Sequence, residues 1–143
     1  MIVSPYLLTI AIGWAVAQGA KYLIAAIESR DFGQLNRLYL SGNMPSAHSA
    51  TTVALMTYVG LQDGTDSSMF AIAALLASIV MYDAVMVRRS VGEQGLAIQN
   101  LIKIAKNKRV EIPRSAKGHT PLEVLVGAIV GLAIGTIVFF ATT

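Results

Sequence analysis

The sequence predicts an all-α integral membrane protein: a compact bundle of four transmembrane helices. Hydrophobic residues make up 55% of its 143 positions and charged residues only 13%, about half the charged share that is usual in soluble domains. Long apolar stretches recur, and a spanning helix needs about 20 predominantly apolar residues. A chain of this length has room for one domain, so we expect residues 1–143 to form a single membrane-embedded unit.

Four stretches are apolar enough to be predicted as spans: residues 2–27, 46–61, 68–87 and 120–141. The second is short and rich in Ser and Thr, which makes it the weakest of the four. The first has no basic segment ahead of its apolar run and continues through Lys21. We therefore expect a retained helix there rather than a signal peptide.

Positive charge is concentrated between the third and fourth stretches, in residues 88–117. This segment holds eight basic and two acidic residues, a net charge of +6, so the rest of the chain carries −3 of the total of +3. Lys and Arg favour the cytoplasmic side of a membrane when they lie in short loops near span ends. We therefore expect this face of the bundle to be cytoplasmic, in a bacterial plasma membrane.

Part of the basic segment is predicted to be an amphipathic helix. Between Val91 and Lys108, apolar residues recur at roughly helical spacing among polar and basic ones. Such a helix commonly rests in the headgroup layer and attracts anionic lipid. The alternative is a basic loop that only fixes the orientation. Both describe a basic, partly helical interfacial loop between helices three and four.

The first of two histidine motifs, residues 42–49, reads Gly-Asn-Met-Pro-Ser-Ala-His-Ser. Pro45 suits the opening turn of a helix. The free amides of that turn, with the Ser46 or Ser49 hydroxyl, can hold phosphate oxygens. His48 would lie one turn in, close enough to donate a proton to a leaving oxygen. The alternative is a capped helix with an incidental histidine.

The second motif, residues 118–123, reads Gly-His-Thr-Pro-Leu-Glu and holds the other histidine of the chain. Thr120 and Glu123 match a capping box, in which the acidic side chain bonds back to the first residue of the box. The four-residue spacing of His119 and Glu123 also lets the carboxylate hold one ring nitrogen and leave the other free to attack. Capping and chemistry are both open interpretations.

Other charged residues are predicted to reach the same face. Lys21 lies near the end of the first span, while Asp83, Arg88 and Arg89 lie near the end of the third. Ionisable groups within spans usually face a polar interior, so Asp83 is expected either to pair with Arg88 or Lys21 or to support a phosphate site. Lys21 could instead snorkel to the interface, and the two arginines could only anchor the topology.

Three ordered motifs, residues 42–49, 82–89 and 118–124, resemble those of the divergent branch of the type 2 phosphatidic acid phosphatase superfamily. That superfamily includes bacterial acid phosphatases and vanadium haloperoxidases, and the resemblance covers nearly the whole chain. It implies a metal-independent phosphatase in which His119 attacks phosphorus, Glu123 orients it and His48 protonates the leaving oxygen. The other site residues that it implies are phosphate-binding Lys21, Ser46, Arg88 and Arg89, with support from Asp83, Ser49 and Thr120.

We expect the substrate to be a phosphomonoester of a membrane lipid. A cytoplasmic site favours phosphatidylglycerophosphate or phosphatidic acid, with a polyprenyl diphosphate as the alternative substrate. The chain departs from the superfamily pattern at Ala47, where glycine is usual, and at Glu123, where aspartate is usual. Its arginines also lie unusually far from His119, although Arg114 is nearer. A non-catalytic phospholipid-binding or lipid-moving protein that retains the phosphate pocket is therefore the alternative function. We expect no cofactor, metal or nucleic-acid partner.

The fourth span carries a repeated spacing of small residues, Gly127, Gly131 and Gly135. Small residues four apart let two helices approach closely in lipid. We expect these glycines to pack within the monomer, with a homodimer contact as the alternative.

Overall fold

The computed structural model describes residues 4–29, 44–105, 111–113, 115 and 118–143, and these residues form helices and connecting segments without a strand. A π-helical turn, Asp83–Val87, joins the third helix to the fourth without a break. The five α-helices are α1 (Pro5–Ser29), α2 (Ala47–Asp63), α3 (Ser68–Tyr82), α4 (Arg88–Ile104) and α5 (Pro121–Thr142).

Three helical segments within the described ranges are long and apolar enough to cross a membrane: Pro5–Ile27, Ser68–Ile104 and Pro121–Thr142. They correspond to the first, third and fourth predicted spans. The remaining predicted span coincides with α2, which has only 17 residues. The all-helical membrane fold is confirmed, and the count of four spans stays a prediction.

The basic segment begins as a helix rather than as a loop. Residues Ser68–Ile104 run as one helical stretch of 37 residues, well beyond the roughly 20 that a span requires. The amphipathic helix predicted from Val91 is therefore confirmed as far as Ile104. Its predicted end, Lys108, lies outside the described residues. Its predicted position in the headgroup layer is not confirmed.

Part of the segment that precedes α5 lies against α4. The Ser115 hydroxyl donates to the Gly92 carbonyl oxygen at 2.9 Å, and the Gln99 side-chain amide donates to the Pro113 carbonyl oxygen at 2.8 Å. These bonds hold the segment before α5 against the side of α4. The second histidine is thereby brought back to the junction of α3 and α4.

Helix α2 lies at the centre of the bundle, in contact with α1, α3 and α5. The three glycines of α5, Gly127, Gly131 and Gly135, face it. A Cβ atom at any of them would lie 2.5 to 2.6 Å from a backbone carbonyl oxygen of α2 or its cap, where no side chain fits. The expected internal packing is what the structure shows. A homodimer through these glycines would require α2 and α5 to separate.

Small side chains fill the interior and large apolar ones face outward. Ala17, Ala50, Ala54 and Ala77 are completely buried, while Phe140 is 75% exposed. This distribution is expected of helices packed in lipid, where close approach rather than apolar burial drives association. The surface of the bundle is therefore suited to contact hydrocarbon.

Candidate active site

The site begins where α5 begins. Thr120 caps the helix, because its hydroxyl accepts from the Glu123 amide at 3.3 Å, and Pro121 occupies the first turn. The Glu123 carboxylate completes the capping box by accepting from the Thr120 amide at 2.9 Å. The capping interpretation of this motif is thus correct.

The same carboxylate oxygen also reaches the histidine. Glu123 Oε2 lies 3.1 Å from Nδ1 of His119, whose side chain is almost fully buried. The cap fixes the carboxylate, and the carboxylate fixes the ring, so the two interpretations of the motif are compatible. Because Nδ1 is held, Nε2 is the nitrogen that remains available for chemistry.

The backbone of His119 is tied to the π-helical turn. Its amide donates to the Ala84 carbonyl oxygen at 3.1 Å. Gly118 allows this approach, because a Cβ atom there would lie 2.3 Å from the backbone nitrogen of Arg89. The turn itself closes with a bond from the Arg88 amide to the Asp83 carbonyl oxygen, five residues back. Single π turns occur often at functional sites, and this one positions α5 against the end of α3.

The two arginines that follow the π-helical turn have different partners. Arg88 donates through Nε to Asp83 Oδ2 at 2.6 Å, which is one of the two pairings expected for Asp83. Arg89 instead donates to Glu93 at 3.1 Å, further along α4. The charge of Arg88 acts on both histidines, so Arg88 is the arginine that belongs to the cluster. Arg114 lies outside the described residues.

The serines of the first motif are buried capping groups. Ser46 and Ser49 have no exposed surface, and the Ser46 hydroxyl accepts from the Ser49 hydroxyl at 2.9 Å and from its amide at 3.4 Å. The Ser46 amide donates to the Glu123 carbonyl oxygen at 3.1 Å. That contact brings the start of α2 beside the start of α5, where Gly127 leaves room for it.

His48 is the second residue of α2, not one turn into the helix as predicted, and its side chain is exposed. The charged side chains of Arg88, Lys21 and Asp83, together with the ring of His119, lie near enough to influence it. The structure therefore gathers the predicted cluster around His48 and His119, with Arg89 at its edge.

Lys21 completes the cluster from α1. It is only 8% exposed, and the charge of Glu123 acts on it. Helix α1 continues past it to Ser29. Lys21 is thus covered by the bundle, and its role in a phosphate site stays a prediction.

Burial lowers the pKa of His119 below the ordinary value of 6.5. The hydrogen bond and the charge of Glu123 act in the opposite direction, while the charges of Lys21 and Arg88 lower the pKa further. Burial is the largest of these effects, because removal from water penalises the charged ring. The imidazole is therefore neutral at neutral pH.

The features that sequence reasoning missed are the π-helical turn and the role of Gly118. A π turn has no composition of its own, so only the five-residue separation of Asp83 and Arg88 hinted at it. Gly118 stands in the recognised motif, but its partner, the backbone of Arg89, is distant in sequence. The described residues contain no group of three or more His, Cys, Asp or Glu arranged to hold a metal ion.

The fold and the cluster define a helical membrane protein whose polar groups meet at one end of its bundle. The chain belongs to the divergent PAP2 family, named after type 2 phosphatidic acid phosphatases, whose model matches residues 2–134. It is also 38% identical over 108 residues to the uncharacterized membrane protein YuiD of Bacillus subtilis, an alignment that covers 66% of this chain and 68% of that protein. No solved structure matches the chain.

Proposed function

We propose that this protein hydrolyses a phosphomonoester of a membrane lipid through a phosphohistidine intermediate, without a metal ion. The observation that carries this proposal is the Glu123 carboxylate, which holds Nδ1 of the buried His119 while the helix cap holds the carboxylate. An imidazole with one nitrogen fixed and the other available is an activated nucleophile. Membership of the divergent PAP2 family agrees with this chemistry.

In the first step, Nε2 of His119 attacks phosphorus. The new N–P bond forms as the bond from phosphorus to the lipid oxygen breaks. Protonated His48 donates its proton to the departing alkoxide, which leaves as the free alcohol. Glu123 stabilises the positive charge that develops on His119, since its carboxylate already contacts the other ring nitrogen.

In the second step, water attacks the phosphohistidine. Neutral His48 accepts the proton of that water, the N–P bond breaks, and inorganic phosphate leaves. His119 is released in its starting state. Both steps use the same two histidines on opposite sides of phosphorus.

Positive side chains would neutralise the phosphoryl oxygens. Among the described residues, Lys21 and Arg88 are the cations that lie near both histidines. Positive charges fixed where negative charge develops stabilise a transition state. In this proposal Ser46 and Ser49 hold the first turn of α2 in place, Asp83 positions Arg88, and Arg89 has a peripheral role.

We further propose that α2 spans the membrane with the other three helices and that the site faces the cytoplasm of a bacterial plasma membrane. The charge asymmetry supports this orientation, because the segment 88–117 carries most of the basic residues. Helix α4 would lie in the headgroup layer. Phosphatidylglycerophosphate and phosphatidic acid are substrates that such a site would meet.

The test is phosphate release from a panel of lipid phosphates by purified protein in EDTA. We expect turnover by the parent and a loss of at least about a hundredfold in His119→Ala and His48→Ala, the range for groups that transfer protons or attack. Arg89→Ala is the matched control, since Arg89 pairs with Glu93 instead of the cluster. Silence from a folded parent on every lipid would refute the proposal.

A second function is favoured by the two serines, whose hydroxyls are bonded to each other and buried. If these groups serve only the fold, the pocket could bind or move a phospholipid without cleaving it. That function predicts tight binding of lipid phosphates, no phosphate release, and binding that survives His119→Ala.

A further inference from the structure

An apolar groove lies deeper in the bundle, between α1 and α3 and over α2. Its volume is about 590 Å³, within the usual range for ligand pockets of roughly 300–1,000 Å³. Helices α1 and α3 each pack against α2 and barely contact each other, which leaves the groove open between them. Its walls include Ile10 of α1, Leu55 and Val59 of α2, and Ile72 and Leu76 of α3.

The groove and the candidate active site share one face of α2. Leu55 and Val59 lie seven and eleven residues after His48, spacings that return to the same side of a helix. His48 is exposed on that side, above the groove. A ligand held at His48 can therefore continue along α2 into the groove.

The α3 residues that line the groove belong to a stripe that extends to the candidate active site. Met69, Ile72 and Leu76 line the groove, and the stripe continues at helical spacing through Ile79 to Asp83, which pairs with Arg88. Ile72, Leu76 and Ile79 are exposed apolar side chains. An apolar track thus joins the groove to the arginine of the site.

The near part of the groove lies within one leaflet of His48. Along α2 from His48, Leu55 lies about 10 Å away, Val59 about 16 Å and Asp63 about 22 Å, and half of a hydrocarbon core is about 15 Å. The far end carries a polar pair, where the Tyr6 hydroxyl lies 2.8 and 2.9 Å from the two carboxylate oxygens of Asp63. The end of an acyl chain that starts at His48 would therefore lie near Leu55 and Val59, short of this exposed polar pair.

We propose that this groove holds an acyl chain of the phospholipid whose phosphate lies between His48 and His119, so that the protein selects its substrate by chain as well as by headgroup. The proposal rests on the proposed function for its catalytic readout. Its occupant is a lipid chain because the groove is apolar and lies on the same face of α2 as His48. Its binding readout does not depend on turnover.

The test narrows the groove from its lipid-facing side. Ile72→Trp adds bulk at a lining residue that is 63% exposed, and Leu75→Trp is the matched control at a non-lining neighbour that is 62% exposed. We expect Ile72→Trp to lower kcat/KM for dioleoyl phosphatidic acid by about tenfold or more, the usual effect of misfit in an apolar pocket. Its kcat/KM for dihexanoyl phosphatidic acid should change little, and the control should match the parent on both lipids.

A second measurement locates the bound acyl chain directly. Phosphatidic acid with a diazirine near the end of one acyl chain is photolysed on the parent, and the labelled residues are identified by mass spectrometry. We expect label on the groove residues of α2 and α3, competed by dioleoyl phosphatidic acid and reduced in Ile72→Trp alone.

The outcomes separate the two proposals. Activity with identical chain preference in both tryptophan variants, or label spread over the outer surface, would overturn the groove and leave the phosphatase intact. Competed label in the groove without phosphate release from any lipid would support the groove and refute the phosphatase. Neither label nor release would refute both.

Discussion

His119 is the residue whose ionisation sets the acidic limb of the expected pH profile. Only the neutral ring of His119 can attack phosphorus and only a protonated His48 can donate to the leaving oxygen, so the rate should rise as His119 loses its proton and fall again once His48 has lost its own. Because burial lowers the pKa of His119, the midpoint of this acidic limb should fall below 6.5, the ordinary value. A profile of kcat/KM against pH measures it.

Glu123→Gln should move that limb to still lower pH. The glutamate raises the pKa of His119 through its hydrogen bond and its charge, so removal of the charge lets the pKa fall further. Glutamine can still accept from the Thr120 amide, which keeps the cap. We expect a rate loss of about a hundredfold or more at neutral pH, with little change in melting temperature. An acidic limb that moved to higher pH would contradict the assignment of Glu123 as the partner of His119.

Asp83 is expected to act through Arg88. Their ion pair is partly exposed, with the arginine side chain 55% accessible, so its contribution to stability should be small, about 0–1 kcal/mol. Asp83→Asn should nevertheless raise KM for a lipid phosphate by about tenfold, because the guanidinium is no longer held in one position. Kinetics and thermal unfolding are measured on the same sample.

Glu93→Gln is the control for this change, since Glu93 holds Arg89 in the same way that Asp83 holds Arg88. The Glu93 variant should keep the KM of the parent. Equal effects of the two variants on KM would show that the arginine at the cluster has been misassigned.

Among the elements, the contact between α2 and α5 matters most for the site. A Cβ atom at Gly131 would lie 2.5 Å from the Ala50 carbonyl oxygen, so Gly131→Ala must push the two helices apart. We expect a loss of about 1–3 kcal/mol in the free energy of unfolding and a lower rate, because His48 and His119 are carried by these two helices. Unfolding is followed in detergent by circular dichroism.

Gly19→Ala, on α1, is the matched helix substitution. Nothing lies within 4 Å of a Cβ atom at this position, and alanine is the better helix former by about 1 kcal/mol. This variant should be at least as stable as the parent. A stable Gly131→Ala protein with unchanged activity would refute the importance of the contact.

The starts of α2 and α5 were predictable because their signals are local. Thr120 and Pro121 open α5 as predicted, whereas Pro45, predicted in the opening turn of α2, lies just before its N-cap Ser46. Both ends could still be located from neighbouring residues. The junction of α3 and α4 could not. The two consecutive charges of Arg88 and Arg89 are typical of the start of a loop. The helix nevertheless continues through them, after a π turn at Asp83–Val87. Hydropathy alone does not register such a change of pitch.

At the scale of the whole molecule, the position of α2 explains why its status as a span is the weakest prediction. This helix is surrounded by α1, α3 and α5, so much of its surface meets protein rather than lipid. A helix in that position can carry Ser49 without exposing it to hydrocarbon. Because α2 is surrounded by other helices, it makes the most extensive contacts and has a lower hydropathy than the other predicted spans.

The closeness of the two histidines was predictable only in part. Charge patterning placed both at one face, since His48 and His119 each begin an apolar stretch on the side of the basic segment. What joins them is a set of backbone contacts: the Ser46 amide on the Glu123 carbonyl oxygen, and the His119 amide on the Ala84 carbonyl oxygen. Backbone pairing between distant segments leaves no mark on residue type, so only the fold could supply it.

One oxygen atom, Oε2 of Glu123, connects the stability of a helix to the reactivity of a ring. It accepts from the Thr120 amide and also contacts Nδ1 of His119. The contact with the Thr120 amide is typical of glutamate or glutamine at that position of a capping box. An aspartate, which is usual here in the wider superfamily, is one methylene shorter and would have to give up one of the two partners. The glutamate of this chain thus ties the anchoring of α5 to the orientation of its histidine, so that neither can drift without the other.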